Sequence, residues 1–194
     1  MKKLIALLGL VILLVATSTS AQPLSQPPIP PPVHINVPNR MQQTKVWCWA
    51  AVSQQIIEWG NGTSPPQCAL VAVANNASPA MCCGNPHPAC IRTGTMPQVQ
   101  YLIKTYGGHS SHLITPSLDP LGLYVHLSNG QPLILEVRTT PAATHVVVVV
   151  GISFMRTQQG PVAMLEVNDP MSVYTQPVPY SRIAPWVVRT LIID

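Results

Sequence analysis

Charge is scarce in this sequence. Only 8% of its 194 residues are Asp, Glu, Lys or Arg, and no basic run occurs. A nucleic-acid surface needs clustered Lys and Arg, so that class of partner is excluded. The folded surface must rest instead on Ser, Thr, Asn, Gln and backbone groups. A run long enough for a membrane span is also missing. The apolar stretch at residues 4–16 falls short of the ~20 residues that a span requires. No internal repeat is present, which leaves out solenoids and arrays.

What the apolar stretch does fit is a leader. Lys2 and Lys3 precede it, and the small residues Thr19 and Ala21 follow it. This is the layout of a secretory signal peptide over residues 1–21, with cutting expected after Ala21. Of the ten Lys and Arg, Lys2 and Lys3 leave with it, so eight remain against six Asp and Glu. The short Lys-Lys leader is of bacterial type, so the expected location is periplasmic or secreted. No membrane contact is expected after the leader is removed. Disulfides form readily in such a compartment.

Residues 22–38, "QPLSQPPIPPPVHINVP", are dense in proline. Such a stretch favours polyproline II, and it reads as a linker or short pro-segment that packs no core, with His34 solvated. The folded domain is expected over residues 39–194. A helix begins at or near Cys48 in "CWAAVSQQIIEWGNG", stopped by Gly60 or Gly62. "PPQCALVAVANNA" starts another at Pro66. "MPQVQYLIKTYGG" is a third, and "DPLGLYVHLSNGQP" a fourth with Asp119 as N-cap. Then come the β-branched runs "PLILEVR", "HVVVVVGIS", "VAMLEVND" and "WVVRTLIID". Helices in the first half and strands in the second predict an α+β fold: a helical lobe beside a twisted, mostly antiparallel sheet.

Five cysteines are present. Cys68, Cys82, Cys83 and Cys90 are close in sequence and allow three pairings. A vicinal Cys82–Cys83 bridge is strained. Cys68 is therefore expected to join one of the pair and Cys90 the other, with either choice open. "CCGNPHPAC" with His87 is the competing zinc pattern. Exported thiols are oxidised, so disulfides are expected and no metal is called for. Cys48 is left unpaired. At a helix N-terminus the unpaired N–H groups and partial positive charge favour a thiolate.

A thiolate needs a base. His109 and His112 lie in the polar "GGHSSH" and read as solvated, and His126 sits within a helical pattern. His145 opens "THVVVVVG", the most strongly apolar strand, where a titratable group is held in place. Alternation in "VAMLEVNDP" puts Ala163, Leu165, Val167 and Asp169 on one face and Met164, Glu166 and Asn168 on the other. The first face is the more apolar and should be buried. Asp169 is thus the candidate to accept a hydrogen bond from His145 Nδ1, with Asn168 as the alternative and Glu166 as a surface charge. Gln42, six residues before Cys48, could stabilise an oxyanion together with the Cys48 N–H. Gln43 is its neighbour and alternative.

"QQTKVWCWAAV", "HVVVVVG" and "VNDP", in that order, resemble the compact bacterial branch of the papain-like cysteine peptidases. The resemblance implies a two-lobe papain-like fold whose central helix starts at the nucleophile. It implies Cys48 as nucleophile, His145 as general base and acid, Asp169 as orienter and Gln42 at the oxyanion. It also implies a protein or peptide substrate, no cofactor and a monomer. Two motifs depart from plant-type papains. Lys45-Val46-Trp47 stands where they have Cys-Gly before the nucleophile, and Asp169 then Met171 where they have Asn followed by Trp. The same triad also serves acyltransferases, deamidases and cell-wall amidases. A non-enzymatic effector or binding module on this fold is the remaining alternative.

Overall fold

The computed structural model describes residues 28–115 and 118–194. The signal-peptide segment at residues 1–21 lies outside the described residues, as do residues 22–27. Among the described residues no helix is long and apolar enough to cross a membrane.

The central helix α1, Cys48–Asn61, is apolar nearly all round. Trp49, Ala50, Ala51, Val52, Ile56 and Ile57 are all buried. Such a helix has to be covered on several sides. One side packs on β4 of the sheet, and others pack on α2 (Gln67–Ala74) and α4 (Met96–Leu102). Its buried polar side chains bond to backbone, Ser53 Oγ donating to Trp49 O and Gln55 Nε2 to Arg40 O, while Gln55 Oε1 has no partner. The helix stops at Gly62, whose φ is 73° and whose N–H bonds to Glu58 O.

Between α2 and α4 the chain makes the short α3, Pro79–Cys82, and a 3₁₀ turn, Pro88–Cys90. Two disulfides tie this segment down, Cys68 to Cys83 and Cys82 to Cys90. Of the two pairings the sequence left open, this is the one formed. α4 opens with a capping box between Thr95 and Gln98. It runs into a π turn, Ile103–Gly107, rather than continuing as the α-helix expected from "MPQVQYLIKTYGG".

The sheet has the order β2-β7-β3-β4-β5-β6, with every pair antiparallel. Its strands are β2 (Ser111–Ile114), β3 (Leu133–Thr140), β4 (Ala143–Thr157), β5 (Gly160–Asn168), β6 (Val178–Pro179) and β7 (Val187–Ile193). The helix α5, Pro120–Ser128, is capped by Asp119, whose Oδ1 accepts from Gly122 N. α6, Tyr180–Ile183, leads into β7. The described segments thus form an α+β fold, with most helices before an antiparallel sheet and with α5 between β2 and β3 and α6 between β6 and β7.

Three expectations are corrected. Residues 33–37 are not part of a free linker. Val33–His34 forms β1, which pairs with Gly151–Ile152 of β4 on the edge that β3 has left. Ile35 and Val37 are buried, and Ile35 N–H donates to Val150 O at 2.7 Å. Gly151 permits this approach: a Cβ there would stand 2.8 Å from Val33 O. His34 is not idle either, since its Nδ1 lies 2.7 Å from Glu166 Oε2.

"GGHSSH" is a solvated loop only in part: His112 is exposed as expected, but it is not in a loop and His109 is not free. His112 belongs to β2, and its Nδ1 contacts Asp194. His109 stacks on Trp59 with ring centroids 5.2 Å apart, and its Nε2 is buried. Finally, Trp186 lies outside the last strand, in a 3₁₀ turn before β7, and is 56% exposed.

Candidate active site

Three of the candidate side chains sit at or near the end of a regular element. Cys48 is the first residue of α1. It is the free cysteine among the described residues and is partly exposed. Trp47 precedes it without a side-chain cap, and the first turn carries no acid. The partial positive charge of the helix start is therefore left to whatever occupies the site.

His145 is on β4, just before the run Val146–Val150, which is buried on both faces. That run cannot slip, so the imidazole is held. Asp169 follows β5 directly. Ala163, Leu165 and Asp169 are all buried, as the alternation along β5 predicts. Asn168 turns the other way, its Nδ2 donating to Val37 O at 2.8 Å. The alternative to Asp169 is thus spent on the N-terminal segment.

His145 Nε2 donates to Asp169 Oδ1 at 2.7 Å. The expectation named Nδ1 for this bond. Its reversal leaves Nδ1 for Cys48, whose side chain interacts with the ring and helps to raise its pKa. Asp169 is 1% exposed and is used on all sides. Oδ1 also accepts from Met171 N, and Oδ2 accepts from Val173 N and Tyr174 N. Burial pushes its pKa up, but the His145 bond and the backbone N–H groups outweigh this and hold it below the ordinary carboxylate value. Burial likewise pulls His145 down. The hydrogen bonds and charges of Asp169 and Cys48 win, and its pKa is raised to about 9. At neutral pH the imidazole is therefore held as the cation.

Gln42 lies in the loop before α1. Its N–H donates to Pro170 O, which joins this loop to the turn after Asp169. Its Nε2 donates to Thr44 O at 2.7 Å, which uses one of two amide hydrogens. Gln43 has an exposed side chain and uses its backbone N–H on Gln67.

A cavity of about 170 Å³ opens beside Cys48, bordered by Trp49, Thr93, Gly94, Thr95 and Glu136 among others. Trp49 lines it, and both tryptophans around Cys48 anchor the segment beside it. Trp47, 1% exposed, donates Nε1–H to Cys90 O, and Trp49 donates to Arg92 O. Both indoles thus grip the disulfide-tied segment. Gly94 presses on Trp49, and a Cβ there would stand 2.2 Å from the ring. Gly94→Ala is expected to lose about 1–3 kcal/mol of stability, the usual cost of overpacking. A shift in the urea midpoint measures this, and an unchanged midpoint would mean that Trp49 can move freely.

Glu136 was not anticipated. The available signal was a lone acid within "LILEVR", an otherwise apolar strand apart from its end. No group of His, Cys, Asp and Glu suited to a metal ion occurs among the described residues.

The family model for peptidase C39-like proteins matches residues 34–184. The chain belongs to the peptidase C39-like family. It is a papain-like cysteine peptidase, a hydrolase of peptide bonds. Two solved structures share the fold of this C39-like chain. One, from Bacillus anthracis and described as a C39-like peptidase, is 15% identical with a TM-score of 0.59; the match covers 85% of this chain and 98% of that one. The other, UfSP from C. elegans, is 13% identical with a TM-score of 0.56; the match covers 91% of this chain but 35% of that one. No curated protein matches the sequence.

Proposed function

We propose that this C39-like chain is a secreted or periplasmic peptidase that works through Cys48, His145 and Asp169. The observation that carries this is the 2.7 Å bond between His145 and Asp169, with the free Cys48 at the start of a buried helix acting on the same ring and helping to raise its pKa. Two disulfides support an oxidising location.

In this reading Cys48 and His145 act as thiolate and imidazolium. The sulfur attacks the substrate carbonyl carbon, and the C=O electron pair moves onto oxygen. Gln42 Nε2 and the Cys48 N–H donate to that oxygen. The C–N bond then breaks as His145 gives its proton to the leaving amine. Water, deprotonated by His145, attacks the thioester and releases the acid. Asp169 keeps the ring oriented and its charge balanced throughout. Its own proton is not involved, because its lowered pKa keeps it ionised.

A peptide-library assay on the purified protein tests the reading, with mass spectrometry of the products. Backbone cleavage that disappears in Cys48→Ala supports it. A deamidation shift or a crosslink in place of cleavage would reassign the same triad to another acyl transfer. Gln42→Ala is expected to slow turnover ~100-fold or more, and an unchanged rate would move that role to Gln43.

A further inference from the structure

The cavity beside Cys48 holds one charged side chain. Its other borders are apolar or hydroxyl side chains, glycine, and Cys48 itself. Glu136 stands on β3 opposite Val146 of β4. Thr144, two residues from Val146, shares that face, and all three border the cavity. The acid is 8% exposed, in a strand whose neighbours Leu135 and Val137 are buried.

Its hydrogen bonds are only half used. Oε1 accepts from Thr144 Oγ1 at 3.0 Å, and Oε2 from Arg189 Nε at 2.6 Å. A carboxylate offers about four lone-pair sites, so each oxygen keeps one. The Arg189 side chain is 40% exposed and that of Glu136 is 10% exposed. The pair is therefore lopsided: the cation shares its charge with solvent, while the anion is turned inward. A buried acid costs free energy unless its acceptors are filled, and here the acid borders the space next to the nucleophile. That space equals about five or six waters at ~30 Å³ each. This is room for one extended side chain and little more.

We propose that Glu136 is a specificity-determining residue that receives a basic side chain of the substrate, a lysine before an arginine, seated next to the bond that Cys48 attacks. The proposal rests on Cys48 being the nucleophile. A charge-assisted hydrogen bond in a water-poor pocket is expected to favour such a peptide about 10-fold or more over a matched methionine peptide.

Binding separates this claim from the peptidase reading, because it needs no turnover. Peptides that carry Lys, Met or Glu at each position in turn are titrated into the Cys48→Ala protein. The expected result is tighter binding for Lys at one position. Glu136→Gln in that background should erase the difference, and Arg189→Gln, which removes the competing cation, should widen it. Thermal unfolding checks that both variants fold. If Glu136→Gln fails to fold, the change at the half-exposed Arg189 still decides. The assignment is overturned by no peptide binding, by no basic preference at any position, by a preference that survives Glu136→Gln, or by an Arg189→Gln preference that stays the same or narrows. Hydrolysis by the unmodified protein is followed in parallel. If nothing is cleaved while the Lys preference holds, the peptidase reading fails, and Glu136 stands as the receptor of a basic side chain beside Cys48 but not as a determinant of cleavage.

Discussion

Asp169→Asn is expected to remove nearly all activity and a large part of the stability. Four N–H groups converge on this carboxylate: His145 Nε2 and the backbones of Met171, Val173 and Tyr174. Asparagine keeps one oxygen and replaces the other by an NH₂ group. Its oxygen can still serve His145 and Met171, but its amide then faces two backbone N–H donors. Two part-buried donors lose their acceptor, at about 0.5–1.5 kcal/mol each. Turning the amide round satisfies them and abandons His145. Either outcome spoils the relay. In a serine triad the same change costs about 10⁴-fold in turnover, and a loss of similar size is expected here.

The pH dependence carries its own sign. His145 has its pKa raised from 6.5 to about 9 in the folded protein. Its contribution to stability is therefore fully present below pH 6.5 and is lost as the pH climbs through about 9. Asp169 is lowered from 3.8, so its contribution is present above that pH and is lost as the pH falls through its lower folded value. Urea midpoints at neutral pH and above pH 9 should differ in the native protein. In Asp169→Asn that alkaline loss should shrink, because the main cause of the raised histidine is gone. If the variant keeps the full difference, Asp169 is not what holds the imidazolium.

The second large effect concerns cysteines that do no chemistry. Replacing Cys82 and Cys90 by serine leaves Cys48 untouched, yet activity is expected to collapse. Cys90 offers its carbonyl to Trp47, and Arg92 offers its own to Trp49. Residues 93–95 then border the cavity. Without the bridge this wall loses its nearest covalent tie and keeps the two indole hydrogen bonds and the Thr95 capping box. A native disulfide is typically worth 2–4 kcal/mol, and a 15-residue loop such as that closed by Cys68 and Cys83 about 3. A reductant titration should therefore have two phases. Mild reductant frees an oxidised Cys48 and raises the rate. Stronger reductant opens the bridges and removes it. Activity against reductant, with alkylation of each cysteine followed by mass spectrometry, reads both phases. Full activity in the double serine variant would show that the indoles suffice.

Much of the site was legible because local rules and tertiary needs agree. "WCWAAV" starts a helix where the chain must plunge into the core, and alternation along β5 puts Asp169 on the buried face. The orientation of the His145 ring was not legible. It depends on how α1 lies against β4, and no spacing encodes that angle. The cysteine pairing was hidden for the same reason. His109 looked solvated because its partner, Trp59, is fifty residues away in sequence. Residues 33–37 were concealed by composition: Val33, Ile35 and Val37 alternate as a strand should, but the prolines before them drew the reading toward polyproline. The two conformations are close in φ and ψ, so a proline run passes into a strand without a bend.

That last feature decides where the polypeptide can be shortened. A protease that trims between residues 28 and 32 leaves the sheet whole. One that cuts after Pro38 strips β1, two buried aliphatic side chains, the Ile35 bond to Val150 and the acceptor of Asn168. Asn168 is the residue before Asp169. A nick at the far N-terminus would thus loosen the segment that carries the acid of the proposed triad.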